Sequence, residues 1–235
     1  QGALDLPLAT LDEYQAKKLL GSWGIPVTED RLLRSREEAA VAWSAIGDVA
    51  VMKVVAAEIL HKTEMGGVIL NIASAEAAAD AYDTLVQRAR AAYPEVSQIA
   101  VLVTPMIKGG IETVLGVIND PLFGPAVMFG LGGILVEVLH DVTFRLAPFD
   151  KEEARRMIDE VRGRAVLNGV RGAAASDIDA LASALSRLSV FAAENADRIE
   201  SVDVNPFVLL PSGGVALDAL VIPRMEDASG SARNS

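Results

Sequence analysis

The chain has 235 residues, 51% hydrophobic and 23% charged, so it can bury one substantial core or two smaller ones and is not of a disordered composition. A formal net charge of −11 excludes sequence-independent nucleic-acid binding, which needs clustered Lys and Arg to release counterions. With no cysteine, disulfide scaffolds, thiol catalysis and cysteine metal sites are excluded, and a cytoplasmic location is the expectation. No apolar run reaches the ~18 residues of a membrane span, and Gln1–Thr10 does not read as a signal peptide.

Thr10-x-x-Glu13 reads as a capping box opening an amphipathic helix (Leu11, Tyr14, Leu19, Leu20) that stops at Gly21, Gly24 and Pro26. Ser35-x-x-Glu38 opens a second helix, to about Ile46. Apolar runs at Val49–Val55 and Val68–Ile72 predict strands, separated by a polar loop ending in Gly66-Gly67. An alanine-rich helix from Ser74 to near Pro94 and a strand at Ile99–Val103 follow. Beyond Lys108-Gly109-Gly110 the pattern predicts strands at Glu112–Ile118, Ala126–Phe129, Leu135–Leu139 and Val142–Leu146. Helices are expected at Lys151–Arg162 and, behind Ser176-x-x-Asp179, at Ile178–Ala193. Strands at Ile199–Val204 and Val215–Val221 flank a Pro211-Ser212-Gly213-Gly214 turn. A boundary near Met106–Gly110 divides the chain into an N-terminal lobe, 10–105, and a C-terminal lobe, 106–223. Both are mixed α/β, and residues 224–235 are expected to form a disordered tail.

An acidic chain that holds phosphate must bring local cations, glycine-loop amides or a metal. Lys53 is the only charge in Val49–Val55. Alone it reads as a lysine on a solvated strand face; functionally, it would rise from the strand toward a phosphate. Gly66-Gly67 and the Gly130, Gly132 and Gly133 cluster read singly as tight turns, or as places where amides could approach phosphate oxygens. Asp203 and Asn205 share a strand face, and antiparallel pairing could bring Asn205 opposite Asp218 as hard oxygen ligands for Mg²⁺; a polar pair facing water is the equal alternative. His61 sits in the polar loop, where an imidazole could meet a phosphoryl group, while His140 reads as a surface turn residue.

Four stretches in order are more specific. Leu60-His61-Lys62-Thr63-Glu64-Met65-Gly66-Gly67-Val68 resembles a segment of the NDP-forming acyl-CoA synthetases. So do Gly116-Val117-Ile118-Asn119-Asp120-Pro121-Leu122-Phe123-Gly124-Pro125, continuing through Val127-Met128-Phe129-Gly130-Leu131-Gly132-Gly133, then Phe144-Arg145-Leu146-Ala147-Pro148 and Val202-Asp203-Val204-Asn205-Pro206. The resemblance spans about Leu11 to Val221 and implies an α+β, ATP-grasp fold with ATP or ADP between the two lobes. It implies that Lys53 contacts nucleotide and Gly66-Gly67 ends a phosphate-covering loop. Val103, Thr104 and Met106 would belong to the hinge whose backbone reads adenine, and Glu112 would lie near the ribose. Asn205 and Asp218 would hold Mg²⁺, and His61 would relay the phosphoryl group. Glu137 and Arg145 lie in family motifs without an assigned role. The hinge reads Thr104-Pro105 where many members have Gln-Glu, which puts side-chain contacts to the adenine amine in doubt.

The resemblance implies the phosphoryl-transfer part of an ADP-forming acid-thiol ligase: acyl-CoA, ADP and phosphate interconverting with carboxylate, CoA and ATP. It implies a CoA-binding, phosphohistidine-bearing partner domain or subunit; the acidic charge and the lack of a long apolar run point to no nucleic-acid or membrane partner. The alternative is a regulatory or scaffolding module like that fused to bacterial protein-lysine acetyltransferases.

Overall fold

The computed structural model describes residues 10–56, 65–96, 99–133, 140–169 and 174–224. The first helix, α1 (Glu13–Ser22), starts later than the Thr10 box predicts. Leu11 is drawn into a backbone bridge with Val221, its amide donating to the Val221 carbonyl at 3.1 Å, so it cannot join the helix. Asp12 becomes the N-cap and makes a reciprocal box with Gln15, which leaves the Glu13 carboxylate for another partner.

One sheet is built from β1 (Arg31–Leu33), β2 (Ala50–Val55), β3 (Val68–Ile72) and β4 (Ala100–Pro105), antiparallel throughout in the order β1-β4-β2-β3. Helices α2 (Arg36–Ile46) and α3 (Ala75–Ala92) are capped by the hydroxyls of Ser35 and Ser74, which accept from the third amide onward. Gly47 ends α2 at φ 72°. Period-2 alternation splits the two central strands. Ala50, Met52, Val54, Val101 and Val103 join one core with Ala39, Ala78 and Leu85 of the helices. Val51, Lys53, Leu102 and Thr104 take the other face, and the register sets Lys53 opposite Leu102 and Val51 opposite Thr104.

The second sheet is six-stranded among the described residues. It comprises β5 (Ile111–Asp120), β6 (Gly124–Leu131), β7 (Val142–Leu146), β8 (Ile199–Leu209), β9 (Gly214–Ala216) and β10 (Leu220–Pro223). Its order is β10-β8-β5-β6-β7, with β9 also pairing β8. The predicted strand Val215–Val221 is thus two strands, because Leu217–Ala219 leave the ladder between them. The predicted strand at 135–139, with Glu137, and the tail after Arg224 lie outside the described residues. Helices α4 (Lys151–Asp159) and α5 (Ile178–Glu194) cover the sheet, joined by a 3₁₀ turn at Arg162–Asn168. The α5 stripe Leu181, Leu185, Leu188 and Ala192 is buried, as the helical period requires.

The two cores divide the chain differently from the sequence boundary. Leu11, Ala16, Leu19, Leu20 and Ile25 join the core of the second sheet, not that of the first. The Trp23 ring meets the Phe191 ring of α5 edge-on, with centroids 5.3 Å apart. An amphipathic helix buries its stripe against whichever face is apolar and open, and the sequence alone does not say which.

Asp177, not Ser176, caps α5: its carboxylate accepts from the Ala180 amide at 3.0 Å and from the Gly213 amide at 2.8 Å. These two bonds, Gly213 first, hold its carboxyl below the ordinary range. A depressed folded-state pKa contributes stability that is full above the unfolded value and lost as pH falls through the folded one. Asp177→Asn is therefore expected to lower Tm at pH 7, with the gap from the parent narrowing steadily as thermal melts are taken to more acidic pH.

Arg145, in a family motif, proves to be a tether: Nε donates to Glu153 at 2.6 Å and a terminal nitrogen to Glu160 at 2.5 Å, tying β7 to α4 and the residue after it. Both hydrogen bonds push its guanidinium pKa up further.

Candidate functional site

Lys53 leaves β2 on the face away from its own core and crosses to the other lobe. Its Nζ donates to Glu13 Oε1 of α1 at 2.8 Å and to the Leu217 carbonyl at 3.0 Å, and lies 3.9 Å from Asp218 Oδ2. The sequence reading as a solvated strand lysine is set aside by this burial: the side chain is 11% exposed. β3 brings Val68 opposite Lys53, and the Gly67 carbonyl accepts from the Val54 amide at 2.8 Å. Gly66-Gly67 therefore turns beside the lysine, with Gly66 at φ 67° and its carbonyl accepting from Arg88 at 2.7 Å. His61 lies outside the described residues.

On the other lobe, Leu220 of β10 pairs Asp203 of β8, and Ala216 of β9 pairs Phe207. The same register sets Asn205 opposite Asp218, and the Asn205 amide donates to the Asp218 carbonyl at 3.3 Å. Asp203, two residues before Asn205, has its carboxyl pushed above the usual range, by desolvation first and by the charge of Asp218 second. Asp203 keeps part of its side chain in solvent, so the shift reports crowded protein around a carboxylate pair rather than full burial. Among the described residues no three His, Cys, Asp or Glu side chains converge on one point. Asn205 and Asp218 bring one amide and one carboxylate side chain to paired positions, the hard oxygen donors that Mg²⁺ takes.

Thr104 lies one step along the face that carries Lys53. It is 5% exposed, and its Oγ1 has no hydrogen-bond partner among the described residues. A buried hydroxyl without a partner is costly, so it marks a place where a ligand group fits. The rest of the hinge is less open than expected. Val103 packs into the core of the first lobe, and the Met106 amide is taken by the Val49 carbonyl at 2.9 Å.

The glycine cluster divides too. Gly130 is a ladder residue of β6, between Val114 and Val142. The Gly132 amide donates to the Glu112 carbonyl at 2.7 Å, so neither reads as an open phosphate cradle; Gly133 turns at φ 64° and is exposed. A Cβ at Gly132 would stand 2.9 Å from the Glu112 carbonyl oxygen and 3.0 Å from its Cβ. Gly132→Ala is therefore expected to cost about 1–3 kcal/mol of stability, as overpacking against backbone does, measured by urea denaturation.

Sequence reasoning missed the buried charges behind Lys53. Lys17 Nζ lies 2.5 Å from Asp30 Oδ2, 3.6 Å from Glu13 Oε1 and 3.2 Å from the Leu217 carbonyl, and these three side chains are 2–4% exposed. The available signal was spacing: Glu13, Lys17 and Leu20 fall on one helical stripe, so two charges stood on an apolar face.

Lys53 of one lobe thus meets the Asn205–Asp218 strand pair of the other. The profile of the ATP-grasp domain family matches residues 3–222, and the chain belongs to that family. It is 42% identical over 212 residues to the acetate–CoA ligase [ADP-forming] I subunit beta of Pyrococcus furiosus, covering 90% of this chain and 91% of that one. It is 37% identical over 201 residues to the 4-hydroxybutyrate–CoA ligase [ADP-forming] of Nitrosopumilus maritimus, covering 86% of this chain and 29% of that longer ligase. A solved structure of the Ca. Korarchaeum cryptofilum dinucleotide forming acetyl-coenzyme A synthetase 1, in complex with coenzyme A, Ca-AMPCP and HgCl⁺, superposes with a TM-score of 0.88 at 39% identity. That match covers 92% of this chain and 94% of that one. The resemblance stated from the ordered motifs is thereby upheld, as is the α+β fold it implied. No helix among the described residues is long and apolar enough to cross a membrane.

Proposed function

We propose that this chain binds ATP or ADP with Mg²⁺ where its lobes meet and serves the phosphate end of an ADP-forming acyl-CoA synthetase. The overall reaction would interconvert acyl-CoA, ADP and phosphate with carboxylate, CoA and ATP, the CoA-binding and phosphohistidine-bearing part residing on another domain or subunit. The observation that carries this reading is the convergence of Lys53 from one lobe with the Asn205–Asp218 pair of the other. The similarity to a beta subunit, matched over 91% of its length, supports it.

Each residue then has a part. Lys53 offers its ammonium to a phosphate oxygen, a contact favourable even at an effective dielectric of 20. Thr104, with its buried hydroxyl, meets the base, while the Met106 amide is already used by Val49. Glu112 lies near the ribose, and Gly66-Gly67 and Gly133 allow backbone close to phosphate. Mg²⁺ bound by Asn205 and Asp218 supplies charge neutralisation at the transferring phosphoryl group. His61 accepts that group for relay to the partner.

Calorimetry tests the reading. ATP and ADP are expected to bind with heat that depends on Mg²⁺, and incubation with γ-labelled ATP is expected to leave acid-labile label that His61→Ala abolishes. Absence of Mg²⁺-dependent heat would overturn the reading in favour of a regulatory or scaffolding module. Label unchanged in His61→Ala would remove the relay.

A further inference from the structure

We propose that Glu13, on a helix of the opposite core, is a positioning residue that aims the Lys53 ammonium at the phosphate. This rests on the reading that Lys53 meets nucleotide. An ammonium has three N–H donors. Glu13 Oε1 takes one at 2.8 Å and the Leu217 carbonyl a second at 3.0 Å. The Asp218 carboxylate, at 3.9 Å, is beyond hydrogen-bond reach. The third donor is thereby left for an oxygen arriving beside the cation ligands. Without the two anchors, a flexible four-carbon stem samples many directions.

The cluster behind this contact has no comparable stabilising logic. Glu13 and Lys17 stand on a stripe that otherwise carries Ala16 and Leu20, where apolar residues would pack as well. Buried ion pairs commonly contribute no more stability than hydrophobic residues of similar volume. What the charges provide is direction. Lys17, held by Asp30, sits 3.6 Å from the same Oε1 that receives Lys53, and donates to the same Leu217 carbonyl at 3.2 Å. Glu13 is in turn kept in place by Lys17.

The test compares affinities of Mg·ATP and of adenosine, which lacks phosphate, on the folded chain. Glu13→Gln is expected to weaken Mg·ATP about tenfold and leave adenosine unchanged, a coupling of ordinary size for contacting residues. Combining Glu13→Gln with Lys53→Met is expected to cost no more than Lys53→Met alone, since Glu13 acts through the lysine. Should Glu13→Gln fail to fold, Glu13→Asp keeps the charge, draws the carboxylate back by one methylene and is read in the same way. Unchanged or tighter Mg·ATP binding, equal weakening of adenosine, or additive losses in the double variant would overturn the proposal. A parent protein that binds no Mg·ATP would instead overturn the nucleotide reading on which it stands.

Discussion

Lys17→Met is expected to cost roughly 3–5 kcal/mol of folding stability, the penalty for removing one partner of a buried ion set. Lys17 Nζ is the only ammonium within salt-bridge reach of Asp30 among the described residues, and the Asp30 side chain is 4% exposed. With the lysine gone, that carboxylate keeps the Thr28 hydroxyl at 2.7 Å and no cation. For a protein of this size the loss corresponds to a fall in Tm of roughly 6–20 °C. Adding Asp30→Asn removes the stranded charge and is expected to restore part of the loss. Thermal melts of both variants without nucleotide check this; a Lys17→Met protein as stable as the parent would show that water reaches Asp30 freely.

Lys53→Met is expected to weaken Mg·ATP binding about a hundredfold, or about 2.8 kcal/mol. One hydrogen bond to a charged group contributes about 1.5–3 kcal/mol, and Lys53 is the cation placed beside the Asn205–Asp218 pair. Methionine keeps the length and most of the apolar stem, so the change isolates the charge. Lys17 remains 3.6 Å from Glu13, so Glu13 is not stranded and the fold is expected to stay intact. Calorimetry with ATP and with adenosine, plus a melt, separates the two effects. A loss shared equally by adenosine would mean a damaged pocket rather than a missing cation.

The parts legible in the sequence were those with a local physical signature. Apolar runs marked β2 and β5, an apolar–polar stretch marked β8, and side-chain caps marked α2 and α3. The pairing of Asn205 with Asp218 followed because strands joined by a short turn inherit its register. What escaped notice depends on partners distant in the chain. β1 is three residues among charged neighbours, and only β4 makes it a strand. The α1 cap moved to Asp12 because Leu11 bonds Val221, and of the glycines expected at phosphate Gly130 lies in a ladder and Gly132 gives its amide to Glu112. Glu13, Lys17 and Asp30 acquire their roles only when the lobes meet, since Lys17 reaches Leu217 across 200 residues of chain.

The membership of α1 in the larger core has a topological meaning. From Leu11 the described chain runs in the large lobe, leaves it after Val27 bridges Ala216, builds the small lobe, and re-enters at β5. The small lobe is therefore an insertion within the large one. Cutting at the apparent boundary near residue 106 would strip the C-terminal piece of Leu11, Ala16, Leu20 and Ile25, all buried against it. A short linker from about Arg31 to Ile111 would instead excise the inserted lobe and keep the larger core with its Val27 bridge and the Lys17–Asp30 pair. In folding, α1 must wait for the last strands of the chain, which makes its docking a late, long-range closure.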